Sequence, residues 1–147
     1  KINFLPSNVD VLISCISAVY ALDLFINNID RHFGNYIFRD SYRSAIALAY
    51  DFSRAWYAFE PYGYECLDSS QKTELCHSLI VSTGNFDPET AKNTLDEIVR
   101  IEKDSISHIV AAIPEEWLSC EIRSDILSWW GSDDMKGRVI KLKGEIT

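Results

Sequence analysis

The sequence predicts a mainly α-helical domain carrying one small β-hairpin, and three patterns lead to that expectation. Apolar residues from Val9 to Ile26 recur at three- and four-residue steps, the period of a helix with a core-facing side. Two short apolar runs, Tyr36-Ile37-Phe38 and Ala45-Ile46-Ala47-Leu48-Ala49, flank the polar tetrad Asp40-Ser41-Tyr42-Arg43, as strands flank a turn. From Ser69 onward helical spacing returns, punctuated by start and stop signals. A chain of 147 residues is long enough to bury roughly 70% of its unfolded surface in one core.

The first helix has Pro6, Ser7 and Asn8 as opening residues and is stopped by Asn27 and Asn28. A polar loop comes next, Asp30-Arg31-His32-Phe33-Gly34-Asn35, and then the hairpin, whose second strand runs directly into Asp51-Phe52-Ser53-Arg54. The aromatic stretch from Trp56 to Asp68, broken by Pro61 and Gly63, reads as an irregular loop packed on the body. A helix over about Gln71 to Val81 is capped by Ser69 or Ser70. Asp87 as N-cap and Pro88 at the first helical position open the next. Its apolar period continues, with room for a bend, to about Ile113, where Pro114 ends it and Glu115-Glu116-Trp117 opens a short turn. One or two further helices span about Cys120 to Leu142, broken near Gly131. There is no repeat, low-complexity tract or linker, so residues 1–147 read as one unit.

Composition narrows the function classes. The net charge of −8 argues against direct nucleic-acid binding, which needs a surplus of Lys and Arg to neutralise phosphates. The apolar stretch from Val9 to Ile29 is interrupted by Asp10, Ser14, Ser17 and Asp23, so it reads as a buried helix rather than a membrane span. Cys15, Cys66, Cys76 and Cys120 are widely spread and form no C-x-x-C pair; they read as buried thiols in a reducing, cytoplasmic compartment. Trp117, Trp129 and Trp130 read as core or interface, and Trp56 as packing. Glu115-Glu116 and Asp133-Asp134 are acids at helix starts, where the helix dipole favours them.

Chemistry gathers on Asp30, Asn35 and Asp51. Phosphoryl transfer needs a carboxylate near the attacking hydroxyl and oxygen ligands that hold Mg²⁺ against nucleotide phosphates. A loop with Asp-x-x-x-x-Asn, a hairpin that folds the chain back, and then Asp-Phe is one way to assemble that set. On this reading Asp30 accepts or orients the substrate hydroxyl, and Asn35 and Asp51 bind metal.

The string Asn28-Ile29-Asp30-Arg31-His32-Phe33-Gly34-Asn35 resembles the catalytic loop of HipA-like Ser/Thr kinases and of the related phosphoinositide kinases. Ala49-Tyr50-Asp51-Phe52-Ser53 is similar to the metal-binding segment of the same superfamily, with Ser53 where many kinases carry Gly. The turn Ile113-Pro114-Glu115-Glu116-Trp117 and the helices after it resemble the C-terminal tail of short HipA-like kinases. The resemblance implies a protein-kinase-like C-terminal lobe, α+β, with its catalytic loop at 28–35, metal-binding segment at 49–54 and helical bundle at 69–143. It implies ATP and Mg²⁺ as cofactors, a protein Ser or Thr hydroxyl as substrate, Arg31 and His32 as loop-organising residues, and a small antitoxin-like partner. It also implies a Gly-rich loop and a phosphate-pairing Lys in an N-terminal lobe. Only Lys1 precedes the Asp30 loop and no Gly precedes Gly34, so these residues read as a C-terminal fragment whose missing lobe lies upstream or in another chain. Two rival readings stand beside the protein kinase: a pseudokinase or regulatory binding module, and a lipid or small-molecule kinase.

Overall fold

Among the described residues, six α-helices and one antiparallel hairpin are laid out in chain order as α1 (Pro6–Phe25), β1 (Tyr36–Ser41), β2 (Ser44–Ala49), α2 (Gln71–Ser82), α3 (Pro88–Arg100), α4 (Lys103–Ala112), α5 (Cys120–Trp129) and α6 (Asp133–Glu145). The computed structural model describes the backbone of residues 6–41, 44–55 and 71–147, and the side chains of 9–39, 45–55 and 71–147. The expected loop over 56–68, including Trp56 and Cys66, the caps at Ser69 and Ser70, the turn residues Tyr42 and Arg43, and Lys1 lie outside the described residues.

Helix α1 is the axis, touching α3, α6 and β2. Its N-terminus reaches back to Pro6, a turn earlier than the periodicity predicts, with proline at the first helical position where a missing N–H costs nothing. Its end is built by the two asparagines. Asn27 takes φ 52°, a left-handed conformation that Asn tolerates, so that Asn28 N–H reaches the Asp23 carbonyl at 2.9 Å and Asn27 N–H the Leu24 carbonyl at 3.4 Å. Arg138 of α6 supplements this end, donating from Nε to the Phe25 carbonyl at 3.0 Å and from Nη2 to the Leu24 carbonyl at 2.8 Å. A cation here also meets the negative end of the helix dipole. Arg138→Met is expected to lower stability by about 1–3 kcal/mol, because it strips charged donors from buried carbonyls. Urea denaturation checks this through a lower midpoint at unchanged slope.

One apolar cluster joins Ala21 and Phe25 of α1 to Ala91, Leu95 and Ile98 of α3, Trp129 and Trp130, and Met135, Val139 and Leu142 of α6. The Phe25 ring lies 5.8 Å from Trp129 and 6.0 Å, edge-on, from Trp130. Trp129 and Trp130 are therefore core, as expected, whereas Trp117 is 82% exposed and belongs to no core. A second cluster, Ile16, Tyr36, Ala47, Cys76 and Ile80, seats the hairpin on α1 and α2. The strands pair from Tyr36↔Ala49 to Ser41↔Ser44, so Asp40 and Ser41 belong to the ladder rather than to the turn. Ala45 and Ala47 are buried while Ile37 and Leu48 face outward.

The expected long helix from Asp87 to Ile113 is two helices. Asp87 caps α3 as predicted, accepting from Glu89 N–H at 3.1 Å with Pro88 at the first turn. At Ile101 the chain leaves helical geometry, and the Ile101 carbonyl accepts the Trp130 indole N–H at 2.9 Å. Cys120 is exposed, against the expectation of four buried thiols; Cys76 is buried and Cys15 half-buried. Among the described residues no helix is long and apolar enough to cross a membrane.

Candidate functional site

The loop 28–35 is held from beneath by a carboxylate that the sequence pattern does not single out. Asp23, wholly buried on α1, accepts from Asn28 Nδ2 at 2.8 Å and from Arg31 Nη2 at 2.9 Å on one oxygen, and from Arg31 Nε at 2.7 Å on the other. Both side chains of the Asp23–Arg31 pair have no exposed surface. A buried pair persists only when the fork geometry is matched and the remaining donors are used. Arg31 Nη1 meets that condition by donating to the carbonyls of Asn35 at 3.2 Å and Tyr50 at 3.1 Å. The guanidinium also lies over the rings of Phe52, at 4.7 Å, and Tyr36, at 5.3 Å.

Thr73 of α2 closes the loop from another side. Its hydroxyl accepts from Arg31 N–H at 2.9 Å and donates to the Asn28 carbonyl at 2.8 Å. His77, one turn further along α2, places Nε2 3.6 Å from Asp23 Oδ2, beyond hydrogen-bond distance. Burial pushes the Cys76 thiol up to about 11, with the Asp23 charge adding to the shift, so it is an inert wall rather than a nucleophile.

These bonds bring the expected site segments together. Tyr50 N–H donates to the Asn35 carbonyl at 3.1 Å, the Tyr50 hydroxyl donates to the Gly34 carbonyl, and Asn28 bridges to Ala55. Asp51 thus comes directly after a residue stitched to Asn35, and Asn35 Nδ2 donates to the Asp30 carbonyl at 3.1 Å. Arg31 is the organiser of the loop. No side-chain capping bond is made by His32; its ring lies over Gly34, where an added Cβ would come within 2.9 Å of it.

The three candidate side chains differ in how free they are. Asp30 is partly exposed, and the Lys72 ammonium, 2.6 Å from Oδ1, holds its carboxyl below the usual carboxylate range. Asp51 is exposed and sits at φ 55°, a conformation in which Asp is tolerated better than most side chains. Hydrogen bonds from the Ser53 hydroxyl, at 2.6 Å, and backbone, at 3.3 Å, likewise hold its carboxyl low. Asn35 is buried at 5% exposure with its amide nitrogen committed to the loop, which leaves the lone pairs of Oδ1 as what its side chain could offer a cation. The set offers two carboxylates and an amide oxygen, hard donors of the kind Mg²⁺ takes. Among the described residues no group of three His, Cys, Asp or Glu is placed to hold a metal.

Asp23, Lys72 and Thr73 are the site residues that sequence reasoning missed. Asp23 carried a signal: a lone carboxylate within an apolar helix stripe, eight positions before an arginine, needs a partner. Lys72 and Thr73 carried none, since their approach to the loop is a tertiary event.

Fold and site together define a mainly helical domain in which one antiparallel hairpin returns an Asp-bearing segment to a braced Asp/Asn loop. No family model, no curated protein and no solved structure matches the chain.

Proposed function

We propose that this domain is the catalytic C-terminal lobe of a HipA-like protein kinase, transferring the ATP γ-phosphoryl group to a Ser or Thr hydroxyl. The observation that supports it is the stitching of loop 28–35 to segment 49–54 through Arg31, Asn35 and Tyr50. That stitching puts Asp30, Asn35 and Asp51 on neighbouring backbone, as an acceptor-side carboxylate and a pair of oxygen ligands require. Asp30, ionised and on the surface, is the group to orient the acceptor hydroxyl. Asn35 and Asp51 are the residues to hold Mg²⁺, which when bound supplies charge neutralisation between the phosphates. In a kinase of this kind ATP binding also draws on a Gly-rich loop and a phosphate-pairing Lys. The locale that fits this reading is the cytoplasm, and a small antitoxin-like protein is the partner it suggests.

The commitment of the Asn35 amide nitrogen to the Asp30 carbonyl favours the rival reading, a regulatory module in which the same loop is structural. Label transfer decides. With γ-labelled ATP, Mg²⁺ and the nucleotide lobe present, label is expected on Ser or Thr of a protein acceptor. Label on inositol lipid instead would replace the protein-kinase reading with a lipid-kinase one, and nucleotide binding without label on any acceptor would establish the regulatory module.

A further inference from the structure

A pocket of about 470 Å³ opens between α1, α2 and the end of α6, and it shares Thr73 with the braced loop. That volume falls in the range of small-molecule sites, roughly 300–1,000 Å³. One wall is a row of rings: Tyr20 stacks on His77 with centroids 4.0 Å apart and meets Phe86 at 4.6 Å. All three line the space. Two carboxylates, Glu74 and Glu145, line it as well, and no Lys or Arg does. Among the described residues neither glutamate has an ion pair; on α2 Lys72 is taken by Asp30, and on α6 Lys143 by Asp96. Glu145 stands near the aromatic wall, since its charge adds to burial in raising the Tyr20 phenol above its ordinary value.

We propose that this pocket binds a small organic cation, an ammonium or guanidinium group carried on an apolar body. Charge decides the sign. Two carboxylates without a basic neighbour in the lining repel a nucleotide or a fatty acid and attract a cation. The rings decide the kind. A hydrated metal ion gains nothing from an aromatic wall, and among the described residues no three His, Cys, Asp or Glu stand close enough to hold one. An organic cation gains twice, because its body is buried against the rings and its charge is attracted by their π-electrons. The volume exceeds what one Lys or Arg side chain fills, so the occupant is a free molecule rather than the side chain of a partner. The assignment stands apart from the kinase reading, since neither Asp30, Asn35 nor Asp51 lines the pocket.

Three ligands built on one phenyl body test this on the isotope-labelled chain: phenethylamine, its neutral counterpart 2-phenylethanol, and the anion 3-phenylpropionate. The amine is expected to shift the amides of Tyr20, His77, Phe86 and Glu145. It is expected to bind about 10-fold tighter than the alcohol, because exposed carboxylates and ring contacts each contribute modestly. The anion is expected not to bind. Glu74→Gln combined with Glu145→Gln, both at exposed positions, is expected to erase the advantage of the amine and to leave the thermal melt unchanged. No binding by the amine, equal binding of amine and alcohol, or an advantage that survives the double variant would overturn the proposal. So would the same shifts with MgCl₂ alone, or tighter binding of a capped Ala-Arg-Ala peptide than of the amine.

Discussion

Replacing Arg31 with Met is expected to cost about 3–5 kcal/mol of folding stability, the largest loss for any single substitution in the loop. The reason is the carboxylate left behind. Asp23 has no exposed surface and takes two of its three side-chain hydrogen bonds from this guanidinium. His77 Nε2, at 3.6 Å, stands too far away to replace them. The Asn35 and Tyr50 carbonyls lose a shared donor as well, so the hairpin and the loop part company along with the pair. Equilibrium urea unfolding measures the loss. The double variant Asp23→Leu with Arg31→Met is expected to recover most of it, because the cost lies in an uncompensated buried charge rather than in the absence of an ion pair. A single-variant loss below about 1 kcal/mol would show that the pair does not hold the loop.

Asp30→Asn and Asp51→Asn are expected to leave the fold intact and to lower phosphoryl transfer by about 10²–10⁴-fold each. Asn is the informative replacement at both positions. At Asp51 it tolerates φ 55° and can still accept from Ser53, so only the charge is removed. Alanine there would add backbone strain and blur the result. At Asp30 the amide keeps the shape of the carboxylate but cannot take a proton from a hydroxyl. Single-turnover transfer read beside a thermal melt separates lost chemistry from lost structure. Undiminished transfer in both variants would remove the assigned roles, whatever other activity the protein shows.

Much of the fold was legible because it is written locally. The apolar run over Val9 to Ile26 marks α1, although its apolar residues are spread round the helix rather than set on one core-facing side; Asp87-Pro88 marks the start of α3, and the paired apolar runs mark the hairpin. The stop at Asn27-Asn28 was also readable, since those residues suit a left-handed turn. What was not legible is set by partners distant in sequence. The break between α3 and α4 falls at Ile101 with neither Gly nor Pro present; the Trp130 indole N–H, 29 positions on, meets the carbonyl released there. Trp117 comes after a proline turn, and a turn carries no period to say which way a side chain faces; it faces solvent. Cys120 opens α5 on an exposed face for the same reason. In the site, the spacing of Asp30, Asn35 and Asp51 pointed to a shared neighbourhood, and the backbone of these segments meets. The burial of Asn35 and the approach of Lys72 depend on how α2 docks, which no motif encodes.

The hydroxyl of Thr73 accepts a hydrogen bond from the N–H of one loop residue and donates one to the carbonyl of another, across more than forty positions of chain. Valine has the same outline and can do neither; serine can do both. Both partners are backbone groups, the Arg31 N–H and the Asn28 carbonyl, so the tie depends on the side chain at 73 and on the path of the loop rather than on which side chains stand at 28 and 31. Helix α2 is in that sense a member of the loop.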